Sequence, residues 1–386
     1  MRILQVLATS GGGVGRHVRD LAGGLAATGA EVRVAGPSAT GAAFGFVTTA
    51  GDPGTDGPSF AVVEIAERPR PAADARAVAR LRRLARDVDV VHAHGLRAGA
   101  LTVLAVRSMV RRRPAVVVTL HNALVGGRGT AAVHGFLERI VAHGADAVLG
   151  VSTDLVAGMA LRGARYVDRA LVPAPVLPPS TVDRDDTRAS IGVDDRTSLL
   201  VTVARLAPQK GLEVLADALE RLRDMPGLEV RAVVAGDGPL AGALRRDAER
   251  RDLPLDLLGH RDDVGALLAA ADVVVVPSLW EGQSLAVQEA LKAGAAIVAT
   301  DAGGTRDVAG NAAVYARPGD SVDLAAKLAD VLGSPGRRSQ LRRNARERAG
   351  SLPTAAEAVQ QVMTCYDEVT TRQRDGSRRA RGAARG

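Results

Sequence analysis

Two acids and two bases stand at spacings that suit a ligand both anionic and rich in hydroxyls. Glu281 and Glu289, with seven residues between them, bracket Gly282-Gln283-Ser284-Leu285, directly after the apolar run Ala271-Asp272-Val273-Val274-Val275-Val276-Pro277-Ser278. Such a run reads as a strand inside a parallel sheet, and Ser284 opens the apolar period of a helix. A helix start offers unpaired amide N–H groups to an anion, while Glu281 ahead of it and Glu289 inside it can accept from hydroxyls. The bases are Arg205, after the strand Leu199–Val203, and Lys210, before a helix from Leu212 to Arg223 with Leu212, Leu215, Leu219 and Leu222 on one face. Open parallel sheets bind ligands at the carboxyl ends of their strands, where Arg205 falls. Two cations there suit a diphosphate, and the four residues together describe a sugar nucleotide.

The N-terminal half carries a glycine loop and two strand-end histidines. Ser10-Gly11-Gly12-Gly13-Val14-Gly15-Arg16-His17 follows the apolar Ile3–Ala8. It is not a dinucleotide fingerprint: Arg16 stands where the third glycine belongs, and the second strand runs into Ala35-Gly36-Pro37 without a ribose-binding acid. A nicotinamide-dependent oxidoreductase is therefore not expected. As a bare loop it reads either as an anion cradle or as a tight turn that lets strand and helix pack closely. His121 follows the apolar Ala115–Leu120, with Asn122 beside it and Gly126-Gly127-Arg128-Gly129 beyond, and His94 lies at another strand end. His92, His134 and His143 read as packing or surface residues.

The elements that must position these residues alternate as strand and helix twice over, which predicts an α/β chain of two doubly wound domains. The first has strands near Ile3–Ala8, Glu31–Ala35, Ala61–Ile65, Val88–His92, Val116–Leu120 and Ala147–Val151; the second near Leu199–Val203, Glu229–Ala235, Leu255–Leu258, Val273–Val276 and Ala296–Thr300. Pro173-Ala174-Pro175-Val176-Leu177-Pro178-Pro179-Ser180 and the polar run Thr181–Arg188 mark a linker. The division expected is residues 1–175, a linker 176–196, a second domain 197–353, a helix 354–371 and a basic disordered tail 372–386.

Taken together, the Glu281 to Glu289 pair, Val203-Ala204-Arg205-Leu206-Ala207-Pro208-Gln209-Lys210-Gly211, Ala235-Gly236-Asp237-Gly238-Pro239, Ala302-Gly303-Gly304, the N-terminal glycine loop and Val90-Val91-His92-Ala93-His94-Gly95 resemble the family 4 retaining glycosyltransferases of GT-B fold. The resemblance implies two Rossmann-like domains facing a cleft, with the 354–371 helix crossing back to the first. It also implies transfer of a sugar from a nucleotide-diphosphate donor to an acceptor hydroxyl, in cell-envelope glycan, glycolipid or secondary-metabolite synthesis. By the same resemblance His121, Arg205, Lys210 and Glu281 are catalytic, and the donor meets Gly13, Arg205, Lys210, Gly236, Glu281, Gly282, Gln283, Ser284, Leu285 and Glu289. Glu289 takes the ribose, His260 in the turn Leu258–Arg261 borders the base, and Gly12, Gly13, His94 and Asn122 face the acceptor. Gln283 and Ser284 replace the Phe-Gly commoner in the family, and Val172-Pro173-Ala174-Pro175 replaces its Pro-Asn-Gly turn. Rival readings are a nucleotide-sugar epimerase or hydrolase of the same fold, and a non-catalytic sugar-nucleotide scaffold.

Bulk properties narrow the setting. The 386 residues leave room for two or three domains, and Cys365 is the one cysteine, so no intrachain disulfide forms and a cytoplasmic protein is expected. The short run Ile3–Ala8 does not make a signal-peptide core, and no apolar run approaches a membrane span. The net charge of +7 sits after residue 336, where twelve arginines face five acids. Without aromatics or a binding module, that tail is expected to be solvated rather than to bind nucleic acid. Ala98–Val110, Arg111-Arg112-Arg113 and the arginines at 76, 80, 82, 83 and 86 raise a peripheral contact with anionic membrane, in keeping with a lipid-linked, glycan or small-molecule acceptor. Asp87-Val88-Asp89 precedes a strand and Asp183-Arg184-Asp185 lies in the linker, so no metal is expected and no cofactor beyond the donor substrate. Arg205, Lys210 and backbone dipoles then neutralise the leaving diphosphate.

Overall fold

Runs of β-branched and small apolar residues form thirteen parallel strands in a computed structural model that describes residues 1–10, 12–46, 58–66, 68–110, 113–122, 128–174 and 182–383. The chain divides into two units, Met1–Pro173 with Pro353–Gly386, and Ala174–Leu352.

In the first unit, β1 (Arg2–Leu7), β2 (Glu31–Gly36), β3 (Ser59–Val62), β4 (Val90–His94), β5 (Ala115–Leu120), β6 (Ala147–Gly150) and β7 (Val167–Arg169) lie in the order β3-β2-β1-β4-β5-β6-β7. The chain leaves β1 in one direction and returns at β4 to continue in the other. The carboxyl ends of β1 and β4 therefore flank a topological switch point, the place where such sheets bind ligands. Register sets Gln5 beside His92, and His94 between Leu7 and Thr119. The helix Gly13–Ala27 rises from the glycine loop after β1.

The second unit repeats the plan with β8 (Ser198–Val203), β9 (Val230–Ala235), β10 (Leu255–Gly259), β11 (Val273–Val276), β12 (Ile297–Thr300) and β13 (Ala313–Ala316), ordered β10-β9-β8-β11-β12-β13. Alternate side chains of β8 go to opposite faces, as the period of a strand requires. Leu200 joins Leu212, Leu215 and Leu219 on one face, while Leu199 and Val201 join Val287 and Leu291 on the other. Here the switch point falls between β8 and β11, the two strands that precede the basic and acidic pairs.

Several expectations change. The third strand lies earlier than Ala61–Ile65, the fourth ends at His94, and β7 and β13 were not foreseen. Both are edge strands of three and four residues, too short to show a period. The polar run assigned to a linker becomes, from Arg184 to Ser190, a helix of the second unit. Arg184 and Arg188 donate to the two carboxylate oxygens of Asp272, at 2.8 and 3.0 Å, and Arg188 is only 3 % exposed. Residues 175–181 lie outside the described residues.

The C-terminal helix, Ala355–Ala383, belongs to the first unit. Thr354 and Glu357 open it with a capping box: Thr354 Oγ1 accepts from the Glu357 amide, and Glu357 Oε2 accepts from the Thr354 amide. Ala358, Val362, Cys365, Tyr366 and Val369 form its buried stripe. The residues from 372, expected as a disordered tail, continue this helix through Ala383; arginine and alanine are strong helix formers, and Arg372 donates to Glu368 one turn back. The apolar stretch considered as a membrane contact is the core helix Leu96–Arg107, with Ala98, Leu101, Val103 and Val106 buried; Arg111 and Arg112 lie outside the described residues. Among the described residues no helix is long and apolar enough to cross a membrane.

Candidate active site

In the second unit, the loop after β8 and the loop after β11 meet through side chains. Lys210 Nζ donates to Glu281 Oε1 at 2.6 Å, and Ser278 Oγ donates to the same oxygen at 2.6 Å. Glu281 is 5 % exposed, so its charge is held by these two donors rather than by bulk water. Among the described residues its Oε2 takes no hydrogen bond, which leaves one acceptor oxygen for a ligand. Gln209 stitches the loops further, its Nε2 donating to the Trp280 carbonyl and its carbonyl accepting from the Leu279 amide. Gly303 packs against the same loop: its φ is +52°, and a Cβ there would lie 2.2 Å from the Glu281 carbonyl and 2.6 Å from the Trp280 ring nitrogen. Only glycine allows that approach.

The helix Leu285–Lys292 begins at this point, with Ser284 as its N-cap. The amides of Leu285 and Ala286 have no acceptor among the described residues, as the first turn of a helix requires unless a ligand supplies one. Glu289 lies inside the helix and is 8 % exposed. Arg205 is exposed, two residues past β8, with no side-chain partner among the described residues. Gly236 follows β9 at φ +142°, where a Cβ would strike the Ala204 carbonyl at 2.0 Å. Gly282 and Gln283 occupy the loop between Glu281 and the N-cap. His260 stands apart: its side chain is 80 % exposed, with Nε2 3.4 Å from Asp262.

In the first unit, the two strand-end histidines come together. His94 Nδ1 lies 3.2 Å from His121 Nε2, and His94 Nε2 lies 2.5 Å from Gln5 Oε1. Gln5 Nε2 donates to Tyr366 Oη at 2.9 Å; Tyr366 Oη in turn lies 2.7 Å from His92 Nδ1, whose Nε2 is 2.7 Å from Thr119 Oγ1. His17, from the first helix, sets its ring edge-on to both His94 and His121. His17, His94 and His121 each bring one ring nitrogen within 4.8 Å of the others, the one group among the described residues with the spacing of a metal site. The 3.2 Å separation of His94 and His121 is also what an N–H···N hydrogen bond gives.

Burial holds these rings neutral. It lowers His17 to about 4, opposed by the carboxylate of Asp20, and lowers His92 to about 3 with a further push from His17. His94 falls well below the ordinary imidazole value through burial and then through His92, His121 and His17; His121 falls likewise through burial, His17 and His92. Burial also pushes the Tyr366 phenol well up. Asn122 is exposed next to His121, while Gly126 and Gly127 lie outside the described residues. Gly12 caps the first helix with nothing within 4 Å of a Cβ placed on it, whereas a Cβ on Gly15 would strike the Phe44 ring at 2.1 Å. Gly15 is thus the packing glycine of the loop. Gly12 leaves open space at the helix start, and the amides of Gly12 and Gly13 have no acceptor among the described residues; Gly11 is not described.

The sequence reading missed Gln5, His17, His92, Thr119 and Tyr366 as members of this group. One signal was present: Gln5 in an apolar strand, and His92 with His94 at the two-residue period of one strand face, are buried polar groups that need partners. Nothing local marks Tyr366, 361 residues from Gln5.

Two family profiles match in succession, "Glycosyltransferase Family 4" over residues 11–166 and "Glycosyl transferases group 1" over residues 183–348. An MMP alpha-(1->4)-mannosyltransferase of Mycolicibacterium hassiacum is 32 % identical over 183 residues, 46 % of this chain and 44 % of that protein. A D-inositol 3-phosphate glycosyltransferase of Corynebacterium kroppenstedtii is 30 % identical over 186 residues, 45 % of this chain and 41 % of that protein. The chain thus spans under half the length of these curated relatives. Anabaena HepE, solved in complex with UDP, superposes with a TM-score of 0.76 over 95 % of this chain and 100 % of its own, at 21 % identity, which establishes the fold. The chain belongs to the family 4, group 1 glycosyltransferases, with the GT-B fold.

Proposed function

We propose that the protein is a retaining glycosyltransferase that moves a sugar from a nucleotide-diphosphate donor to an acceptor hydroxyl. The observation that carries this reading is the Lys210–Glu281 pair at the β8/β11 switch point, beside a helix start whose first amides have no acceptor among the described residues. The donor diphosphate is assigned to Arg205, Lys210 and the amides of Leu285 and Ala286, the sugar hydroxyls to Glu281 Oε2, and the ribose to Glu289. In the first unit, the open space at Gly12, the amide of Gly13 beside it and the histidines at 94 and 121 are assigned to acceptor and transferred sugar, with Asn122 next to them.

The chemistry proposed breaks the bond from the anomeric carbon to the donor phosphate and forms one from the acceptor oxygen to the same face of that carbon. The leaving diphosphate keeps the electron pair and takes the acceptor's proton, and the cations stabilise the charge it gains. His121 serves by hydrogen-bonding to the sugar as positive character develops. No metal is required in this scheme.

Relatives bearing GDP-mannose- and UDP-dependent names, and HepE bound to UDP, support a nucleotide sugar as donor and leave the base to be chosen by experiment. An acceptor that is a glycan or a lipid-linked sugar agrees with the same names. Thermal stabilisation against UDP-, GDP-, ADP- and dTDP-sugars identifies the donor, because a ligand that binds only the folded state raises its stability. The best donor is then tested with acceptors. Sugar conversion or nucleotide release that no acceptor alters would establish an epimerase or hydrolase, and binding without turnover a scaffold.

A further inference from the structure

The buried polar chain in the first unit has a direction, and the direction decides what His121 presents to a ligand. The contact between His94 Nε2 and the Gln5 amide is 2.5 Å, too short for two nitrogens to face one another and consistent only with an amide oxygen at that end. Gln5 then turns its NH₂ to Tyr366 Oη, at the 2.9 Å of an N–H···O bond. Since Gln5 Oε1 can only accept, His94 carries its proton on Nε2. A neutral imidazole has one donor and one acceptor, so His94 Nδ1 is bare and His121 Nε2, 3.2 Å away, must supply the proton. At the other end, Tyr366 has accepted from Gln5 and gives its one proton to His92 Nδ1, and His92 Nε2 donates to Thr119 Oγ1. Five hydrogen bonds share one polarity.

We propose that Tyr366 and Gln5 are positioning residues that lock His121 in its Nε2–H tautomer, so that its Nδ1 faces the substrate as a hydrogen-bond acceptor. His121 Nδ1 has no partner among the described residues. The opposite polarity would need the Gln5 amide turned over, with its NH₂ against His94 Nε2, and the 2.5 Å separation there is too close for a second nitrogen; Tyr366 Oη holds the other end of the amide in place. Burial keeps all the rings neutral at pH 7, so no second proton blurs the pattern. His121 accordingly accepts from a substrate hydroxyl rather than donating to a ring or glycosidic oxygen. The inference rests on the proposed function only for the identity of that substrate.

Nitrogen-15 spectra of the histidine rings in the intact protein test the tautomer directly, with no substrate added. Wild type should show His121, His94 and His92 each protonated on Nε2 alone. Tyr366→Phe frees the Gln5 amide, and Gln5→Leu removes it; in each, His94 and His121 should become mixtures of the two tautomers. Turnover should fall roughly tenfold to a hundredfold while donor KM changes less than about twofold, since orientation and not binding is lost. Wild-type His121 protonated on Nδ1 would overturn the proposal. So would an unmixed tautomer and unchanged turnover in folded Tyr366→Phe or Gln5→Leu; should one variant not fold, the other and the wild-type spectrum decide. A tautomer that responds as expected in a protein that transfers no sugar would uphold the positioning and reject the glycosyltransferase reading instead.

Discussion

Lys210 and Glu281 are 71 residues apart in the chain and 2.6 Å apart in space. The cation assigned to the diphosphate and the anion assigned to the sugar satisfy each other, with Ser278 completing the set. The two residues therefore form one unit energetically. Lys210→Ala should cost roughly 2–3 kcal/mol of stability, below the range of a fully buried pair because the lysine side chain is 23 % exposed. Adding Glu281→Gln should recover part of that loss. Urea denaturation of the two single variants and the double variant measures the coupling, and purely additive losses would show that the pair is not a unit.

Arg205 differs, since it is exposed and has no side-chain partner among the described residues. Its removal should leave stability within about 0.5 kcal/mol and weaken nucleoside diphosphate binding by about 1.5–3 kcal/mol. Calorimetric titration of Arg205→Ala with the diphosphate that best stabilises wild type checks this. Unchanged affinity would remove Arg205 from the donor site.

The buried histidines make the first unit sensitive to mild acid. Their folded-state values lie below the unfolded value of about 6.5, so the unfolded chain binds more protons as pH falls through that point. Stability is fully present above about pH 6.5 and declines below it by about 1.4 kcal/mol per pH unit for each such histidine, until the folded group titrates, near 4 for His17 and near 3 for His92. His94 and His121 act in the same direction. Amide exchange in β4 and β5, corrected for intrinsic rates, should show protection lost between pH 6.5 and 5, before ordinary carboxylates titrate. Flat protection over that window would mean that the rings are not held neutral by burial.

The site chemistry gives a stereochemical expectation. Early product should keep the donor's anomeric configuration, and transfer should continue in EDTA. Proton NMR of the first turnovers distinguishes retention from inversion; an inverted product, or activity restored only by a divalent ion, would reject the proposed scheme.

Much of the second unit's candidate site was legible in the sequence because its parts are local. Each lies just after an apolar strand, and strand ends at a switch point are where side chains meet, so Arg205, Lys210, Glu281 and the Ser284 helix start follow from short windows. Their mutual geometry did not: that Glu281 shares one oxygen between Lys210 and Ser278 depends on two loops brought together by β8 and β11. His94 and His121 were visible as strand ends, whereas His92 read as packing because nothing in its local sequence names a partner. Tyr366 was invisible for the same reason, since its helix shows only an apolar stripe. The Thr181–Arg188 run was misjudged as linker because exposed-looking arginines there are paired with Asp272, a contact no local pattern encodes.

The return of the Ala355–Ala383 helix to the first unit bears on how the chain is made. During synthesis, β1 to β7 leave the ribosome long before residue 366, and the whole of the second unit is translated in between. Until then the nascent first unit contains Gln5 and His92 without the hydroxyl that joins them, and the apolar surface that the helix covers is bare. The second unit, Ala174–Leu352, is contiguous and can complete itself first. A stop a few dozen codons early would release a chain with one finished half and one that lacks its keystone, a natural target for proteolysis.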